Sequence, residues 1–138
     1  MKAYIDSSVL LRLVLRENGP LAEWHELTDA CTSAVTPVEC WRTLDRLTLL
    51  NPRDEARHSA YRAHLQELLA ALDTIDVTRG ILLRASQPLP VPVKTLDAVH
   101  LASALTWLED HQETWVFATH DGALGRAGAR MGLTVIGV

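Results

Sequence analysis

Cysteine is nearly absent. Cys31 and Cys40 are the only two in 138 residues, and they lack CxxC spacing. Neither a disulfide framework nor a cysteine zinc site is available, so both read as buried, reduced thiols. Long apolar runs are missing too. Nothing approaches the ~18 residues that cross a bilayer. The stretch Val9 to Leu15 is interrupted by Arg12, and it lacks the basic leader and small-residue cleavage site of a signal peptide. No membrane association is expected, and a cytoplasmic location is. An excess of positive charge is also lacking: 13 Lys and Arg stand against 17 Asp and Glu, a net charge of −4. This argues against a surface coated for nucleic acid, although a local basic patch beside an acidic pocket stays open. Repeats, low-complexity segments and dividing linkers are absent. One domain over residues 1–138 is expected, with 48% hydrophobic residues to build its core.

What is there alternates. Lys2-Ala3-Tyr4-Ile5 reads as a strand, followed by Asp6-Ser7-Ser8, any of which could cap a helix from Val9 to about Glu17. Pro20 to Thr28 reads as a second short helix, and Cys31 to Val35 as a strand. Thr36-Pro37-Val38-Glu39 has the form of a helix start, with Thr36 as cap, Pro37 first and Glu39 third. That helix runs to about Leu50. A long helix spans Arg53 to Leu72, a strand Thr74 to Val77, and a short helix Thr78 to Ala85. The prolines between Pro88 and Val93 forbid a helix there. Thr95 then caps a helix from Leu96 to about Asp110 that is apolar nearly all round, so it belongs inside the protein. A strand at Thr114 to Ala118, a helix ending near Gly132 and a strand at Leu133 to Ile136 complete the chain. Strands alternating with helices indicate α/β with a largely parallel, five-stranded sheet.

A parallel sheet gathers its strand ends at one edge, where ligands bind. Asp6 follows the first strand, Glu39 lies in the helix turn after the second, and Asp121 comes shortly after the fourth. Asp97 opens a helix that runs back before the fourth strand. Four acids from distant parts of the chain thus converge on one edge. Each acid alone has a plain reading: a capping box for Glu39, caps or turns for Asp6 and Asp121, a helix-dipole partner for Asp97. Together they would repel unless a cation joined them. Carboxylate ligands select Mg²⁺ or Mn²⁺ rather than zinc.

Four pieces, in order, resemble a PIN domain, and specifically the VapC-type toxins of bacterial toxin–antitoxin pairs. They are Tyr4-Ile5-Asp6-Ser7-Ser8, Thr36-Pro37-Val38-Glu39, Leu96-Asp97-Ala98-Val99-His100-Leu101-Ala102, and Ala118-Thr119-His120-Asp121-Gly122-Ala123-Leu124. The third is the most specific. The resemblance spans essentially the whole chain. It implies a three-layer α/β/α sandwich and a Mg²⁺-dependent ribonuclease that leaves 5′-phosphate and 3′-hydroxyl ends. It also implies a cognate antitoxin, and a homodimer is expected. The family's acidic quartet falls on Asp6, Glu39, Asp97 and Asp121, and its hydroxyl falls on Thr119. Ser7 is expected to assist Asp6. No role carries onto His120.

An RNA substrate needs cations along its backbone. Arg42 and Arg46 share the helical face of Glu39 and form a candidate stripe, with surface pairing to Asp45 as the alternative. Lys94 is a further candidate. His100, one turn from Asp97, reads as a hydrogen-bonded core residue. His25, His58, His64 and His111 read as solvated, and the four tryptophans as core anchors. Val9, Leu10, Leu13 and Val14, with Leu21 and Trp24, fit either the core or a partner-binding face. A non-cleaving RNA- or protein-binding module of the same fold remains an alternative, as does a nuclease of this fold outside any toxin pair. A haloacid-dehalogenase-like phosphatase does not fit, because Ser8 stands where its second Asp belongs.

Overall fold

The computed structural model describes residues 1–138. Its central strand is β1 (Lys2–Ile5), which pairs in parallel with β2 (Asp29–Ser33) on one side and β4 (Trp115–Ala118) on the other. β3 (Asp73–Ile75) and β5 (Val135–Ile136) form the edges, giving the order β3-β2-β1-β4-β5 with every pairing parallel. The chain winds outward through β2 and β3, then returns and winds the other way through β4 and β5. The reversal leaves a crevice at the carboxyl ends of β1 and β4, where such sheets bind ligands.

Alternation along β1 and β4 divides the core. Ala3, Ile5, Val116 and Ala118 face one side and meet α1 (Ser7–Val14), α2 (Val35–Leu50) and α3 (Glu55–Ala70). Tyr4, Trp115 and Phe117 face the other, against α4 (Arg79–Ala85), α5 (Thr95–Asp110) and α6 (Gly122–Arg130). The result is the expected three-layer α/β/α sandwich. In α5, every residue from Ala98 to Leu105 is buried, as its all-round apolar sequence requires. Leu96, two residues before that run, is exposed. Val9, Leu10, Val14 and Leu21 all lie in the core beneath the sheet. No helix is long and apolar enough to cross a membrane.

Several local expectations change. The segment after Pro20 forms only a 3-10 helix, Ala22–Glu26, with no side-chain cap at its start. α2 begins earlier than its sequence suggests, with Ala34 in the cap position and no side-chain cap. Thr36 is instead fully buried, with its hydroxyl 2.6 Å from that of Thr32. Thr32 donates its one proton to the Ile5 carbonyl at 2.6 Å, so Thr36 must donate to Thr32. This relay ties the start of α2 to the end of β1. Pro37 still falls among the helix N–H groups that lack partners, and Glu39 is too far along the helix for a capping box. Thr36→Val keeps the shape and removes the donor. We expect a loss of about 1–2 kcal/mol in urea unfolding; an unchanged midpoint would show that the relay contributes nothing.

His58 is buried rather than solvated, and its Nε2–H donates to the Asn51 carbonyl at 2.7 Å. It thereby serves the C-terminal end of α2. His111 stacks on Trp107 at 3.9 Å between ring centres. Of the tryptophans, Trp115 is buried and the other three are half-buried. Both cysteines are buried and free. Burial pushes the Cys40 thiol up to about 12, and the charges of Glu39 and Asp6 add to the shift.

Candidate active site

Asp6 ends β1 and caps α1, a position its short acceptor side chain favours. It is 3% exposed, so its charge needs partners. One oxygen, Oδ2, collects them: the Ser8 hydroxyl donates at 2.5 Å and the Thr119 hydroxyl at 2.9 Å. Oδ1 has only distant neighbours, the Ser7 hydroxyl at 3.4 Å and His100 Nε2 at 3.5 Å. Thr119 is also buried, and it accepts from the Asp121 N–H at 3.0 Å. Ser8 likewise accepts from the His120 N–H at 2.9 Å. The ends of β1 and β4 are thus fastened together through Asp6. Thr119 stands where the sequence put a hydroxyl. The short serine contact, however, belongs to Ser8 rather than Ser7. The pattern Asp-x-Ser carried that signal, because a hydroxyl two residues past a cap reaches back to it.

Glu39 projects from the first part of α2 toward α5. Its Oε1 accepts from His100 Nε2 at 2.5 Å, and Oε2 has no protein donor. His100 is fully buried, and its Nδ1 lies 2.8 Å from the Tyr4 hydroxyl. It is the hydrogen-bonded core residue the sequence suggested, but its partner is one of the four acids. Burial works to lower its pKa. The hydrogen bond to Glu39 and the charges of Asp6, Glu39 and Asp97 outweigh burial and leave it raised. The sequence signal was its position three residues after Asp97, on the same helical face.

Asp97 sits at the third position of α5, after Lys94 as cap, so Thr95 is not the cap. It is half-buried, and no hydrogen bond contributes to its ionisation. Its pKa is raised first by burial, then by the charges of Asp121 and Asp6, with Glu39 adding to them and His100 opposing. Asp121 caps α6, with Oδ1 accepting from the Ala123 and Leu124 N–H groups at 2.8 and 2.9 Å. Its other oxygen is unpartnered. The fold therefore brings Asp6, Glu39 and Asp121 near enough to Asp97 for their charges to act on it. No three of them stand close enough together in this structure to hold a metal ion as they are. Each anchored acid nevertheless keeps one oxygen free or weakly held, and Asp97 keeps two. These are hard donors around surplus negative charge, a set that fits Mg²⁺ or Mn²⁺ and does not fit zinc.

The basic residues lie farther out. Arg42 is exposed and pairs with Asp45 at 2.8 Å, the alternative the sequence left open. Arg46 is exposed on the same helix, and Lys94 is exposed at the start of α5. Arg126 and Arg130, which sequence reasoning passed over, line a cleft with Val91, Pro92 and Ala123. Their spacing on α6 was the available signal.

Comparisons with known proteins agree with this architecture. The PIN domain family model matches residues 3–129. A Mycobacterium tuberculosis protein named Ribonuclease VapC46 is 32% identical over 136 residues, 96% of this chain and 95% of that protein. Another from that species, Ribonuclease VapC47, is 29% identical over 128 residues, covering 88% and 85%. Among solved structures, VapBC2 from Rickettsia felis, bound to a DNA fragment from its promoter, superposes with a TM-score of 0.67. That match covers 98% of this chain and 97% of the other at 11% identity, a likeness of fold. From the sheet, the acid-lined crevice and these relatives together, the chain belongs to the PIN domain family and is of the VapC type.

Proposed function

We propose that this protein is a divalent-metal-dependent endoribonuclease and the toxin of a VapBC-type pair. The observation that carries the reading is the cleft at the β1–β4 crevice. There, four carboxylates from four elements each present an oxygen with no close protein donor. The VapC46 and VapC47 names, both ribonucleases, support the activity. The Rickettsia complex supports an antitoxin partner. A homodimer belongs to the same proposal, since Leu82 and Leu83 leave apolar surface exposed on α4.

Asp6 and Asp97 would hold Mg²⁺ directly, with Glu39 and Asp121 closing the site directly or through water. When bound, the ion supplies Lewis-acid catalysis for phosphodiester hydrolysis. The protein's own part is positioning. Ser8 and Thr119 fix one Asp6 oxygen and so leave the other for the ion. The α6 cap does the same for Asp121. Burial behind Asp6 excludes water from the rear of the cleft, which strengthens each electrostatic contact inside.

The decisive experiment is cleavage of a mixed cellular RNA pool by protein freed of antitoxin, with Mg²⁺ and with chelator. Metal-dependent cleavage leaving 5′-phosphate ends is expected. Its absence under both conditions overturns the nuclease reading in favour of a binding module. Arg42 and Arg46 belong to the same proposal as phosphate contacts. The exposed Arg42–Asp45 pair is worth less than about 1 kcal/mol, so a phosphate displaces it readily. Reversing both arginines to Glu should raise the RNA Kd by roughly 10-fold or more and flatten its salt dependence. Unchanged binding would remove them from the RNA path.

A further inference from the structure

His100 has no place in the acidic quartet, yet it is the group most firmly fixed beneath it. Its ring is held at both ends, by Tyr4 at 2.8 Å and Glu39 at 2.5 Å. Tyr4 cannot yield. It is fully buried and stacks on Phe117 at 5.4 Å between ring centres. We propose that His100 is a positioning residue for the metal site. Backed by Tyr4, it holds one Glu39 oxygen through Nε2–H and leaves the other as the oxygen available to a divalent cation. This inference rests on the metal-site reading above.

The atoms decide the direction of the bond. A carboxylate oxygen only accepts, so Nε2 carries the proton. The Tyr4 hydroxyl can donate to a bare Nδ1 or accept from a protonated one, so the arrangement holds in either state of the ring. Neither nitrogen then has a lone pair to offer a cation, which excludes His100 as a ligand. Glu39, by contrast, stands on a long side chain at the cleft wall, and without His100 several torsions are free. An outer partner that orients a ligand in this way typically contributes 10–100-fold in metal affinity.

The test is Mn²⁺ binding to the full chain, read from the paramagnetic resonance signal of free Mn²⁺, without RNA present. His100→Leu removes the donor and keeps an apolar filling. It should weaken Mn²⁺ binding by about 10–100-fold. His100→Gln restores an N–H at similar reach and should recover most of the loss. Tyr4→Phe, one hydroxyl fewer, should fall between them. Thermal midpoints in chelator report folding separately. If His100→Leu does not fold, the comparison of His100→Gln with Tyr4→Phe decides. A His100→Leu protein that binds as wild type does, or a Tyr4→Phe protein unchanged where His100→Leu cannot be made, overturns the inference. So does a wild-type protein that binds no Mn²⁺, and that result also removes the metal site. Wild-type protein that binds Mn²⁺ but cuts no RNA would overturn the nuclease reading and leave the positioning role standing.

Discussion

Asp97→Asn is expected to silence Mg²⁺-dependent RNA cleavage and, at the same time, to raise the thermal midpoint of the chelated protein slightly. The loss of activity should reach ~10²–10³-fold, the scale on which one preorganised electrostatic group counts. The gain in stability follows from the sign of the pKa shift. The folded-state pKa of Asp97 lies above its usual value because of burial and the nearby charges of Asp121, Asp6 and Glu39. A carboxyl of that kind binds its proton more tightly when folded. It stabilises the fold at low pH, and that contribution is lost as pH rises through the folded pKa. At neutral pH the charge is a cost, which Asn removes. Asp97 is only half-buried, so solvent screening keeps the cost below about 1 kcal/mol. Its first-turn position in α5 recovers part of that. The expected rise is about 1–4 °C. Added Mg²⁺ should raise the midpoint of the wild type and leave the variant almost unmoved. Full cleavage by the variant would sink the site assignment. A lowered midpoint in chelator would mean that Asp97 serves the helix more than the cleft.

Gly137→Ala should be the most damaging small substitution in the chain. Gly137 has φ +92°, and a Cβ there would lie 2.6 Å from the Thr119 carbonyl oxygen and 3.2 Å from a Leu21 methyl. The neighbouring backbone is what braces the site. The Thr119 N–H donates to the Ile136 carbonyl at 3.1 Å, and His120 Nδ1–H donates to the Gly137 carbonyl at 2.7 Å. A left-handed conformation costs a non-glycine residue ~1–2 kcal/mol, and the clash adds to it. A total of roughly 2–4 kcal/mol is expected in chemical unfolding. Activity should fall too, because Thr119 is one of the two hydroxyl donors that fix Asp6 Oδ2. Gly132→Ala is the control. Gly132 has φ +89° but nothing within 4 Å of its Cβ position, so it carries the strain without the clash. If the two variants unfold at the same denaturant concentration, the close approach to Thr119 does not hold the site.

Much of this protein was legible in its sequence because the relevant physics is local. The alternation of strand and helix follows from residue pattern, and the all-round apolar character of α5 required its burial. Asp6 and Asp121 are short acceptors at helix starts, and both became caps. Convergence of the four acids followed from one rule: parallel strands end at one edge. Where the local signal misled, a distant partner had outbid it. Thr36-Pro37-Val38-Glu39 has the form of a capping box, but burial of Thr36 against Thr32 moved the helix start and released Glu39 from that role. His58 sits among polar residues yet closes the end of the preceding helix.

The sequence by itself determined the fold class and the family, because strand and helix periodicity, caps and short motifs all act within a few residues. Only the tertiary structure decided that β1 lies between β2 and β4, that Ser8 joins Ser7 in holding Asp6 and makes the shorter contact, and that His100 joins Tyr4 to Glu39. Those residues lie 96 and 61 positions from His100 along the chain. No local preference relates groups so far apart; they meet because β1, α2 and α5 pack around the same crevice.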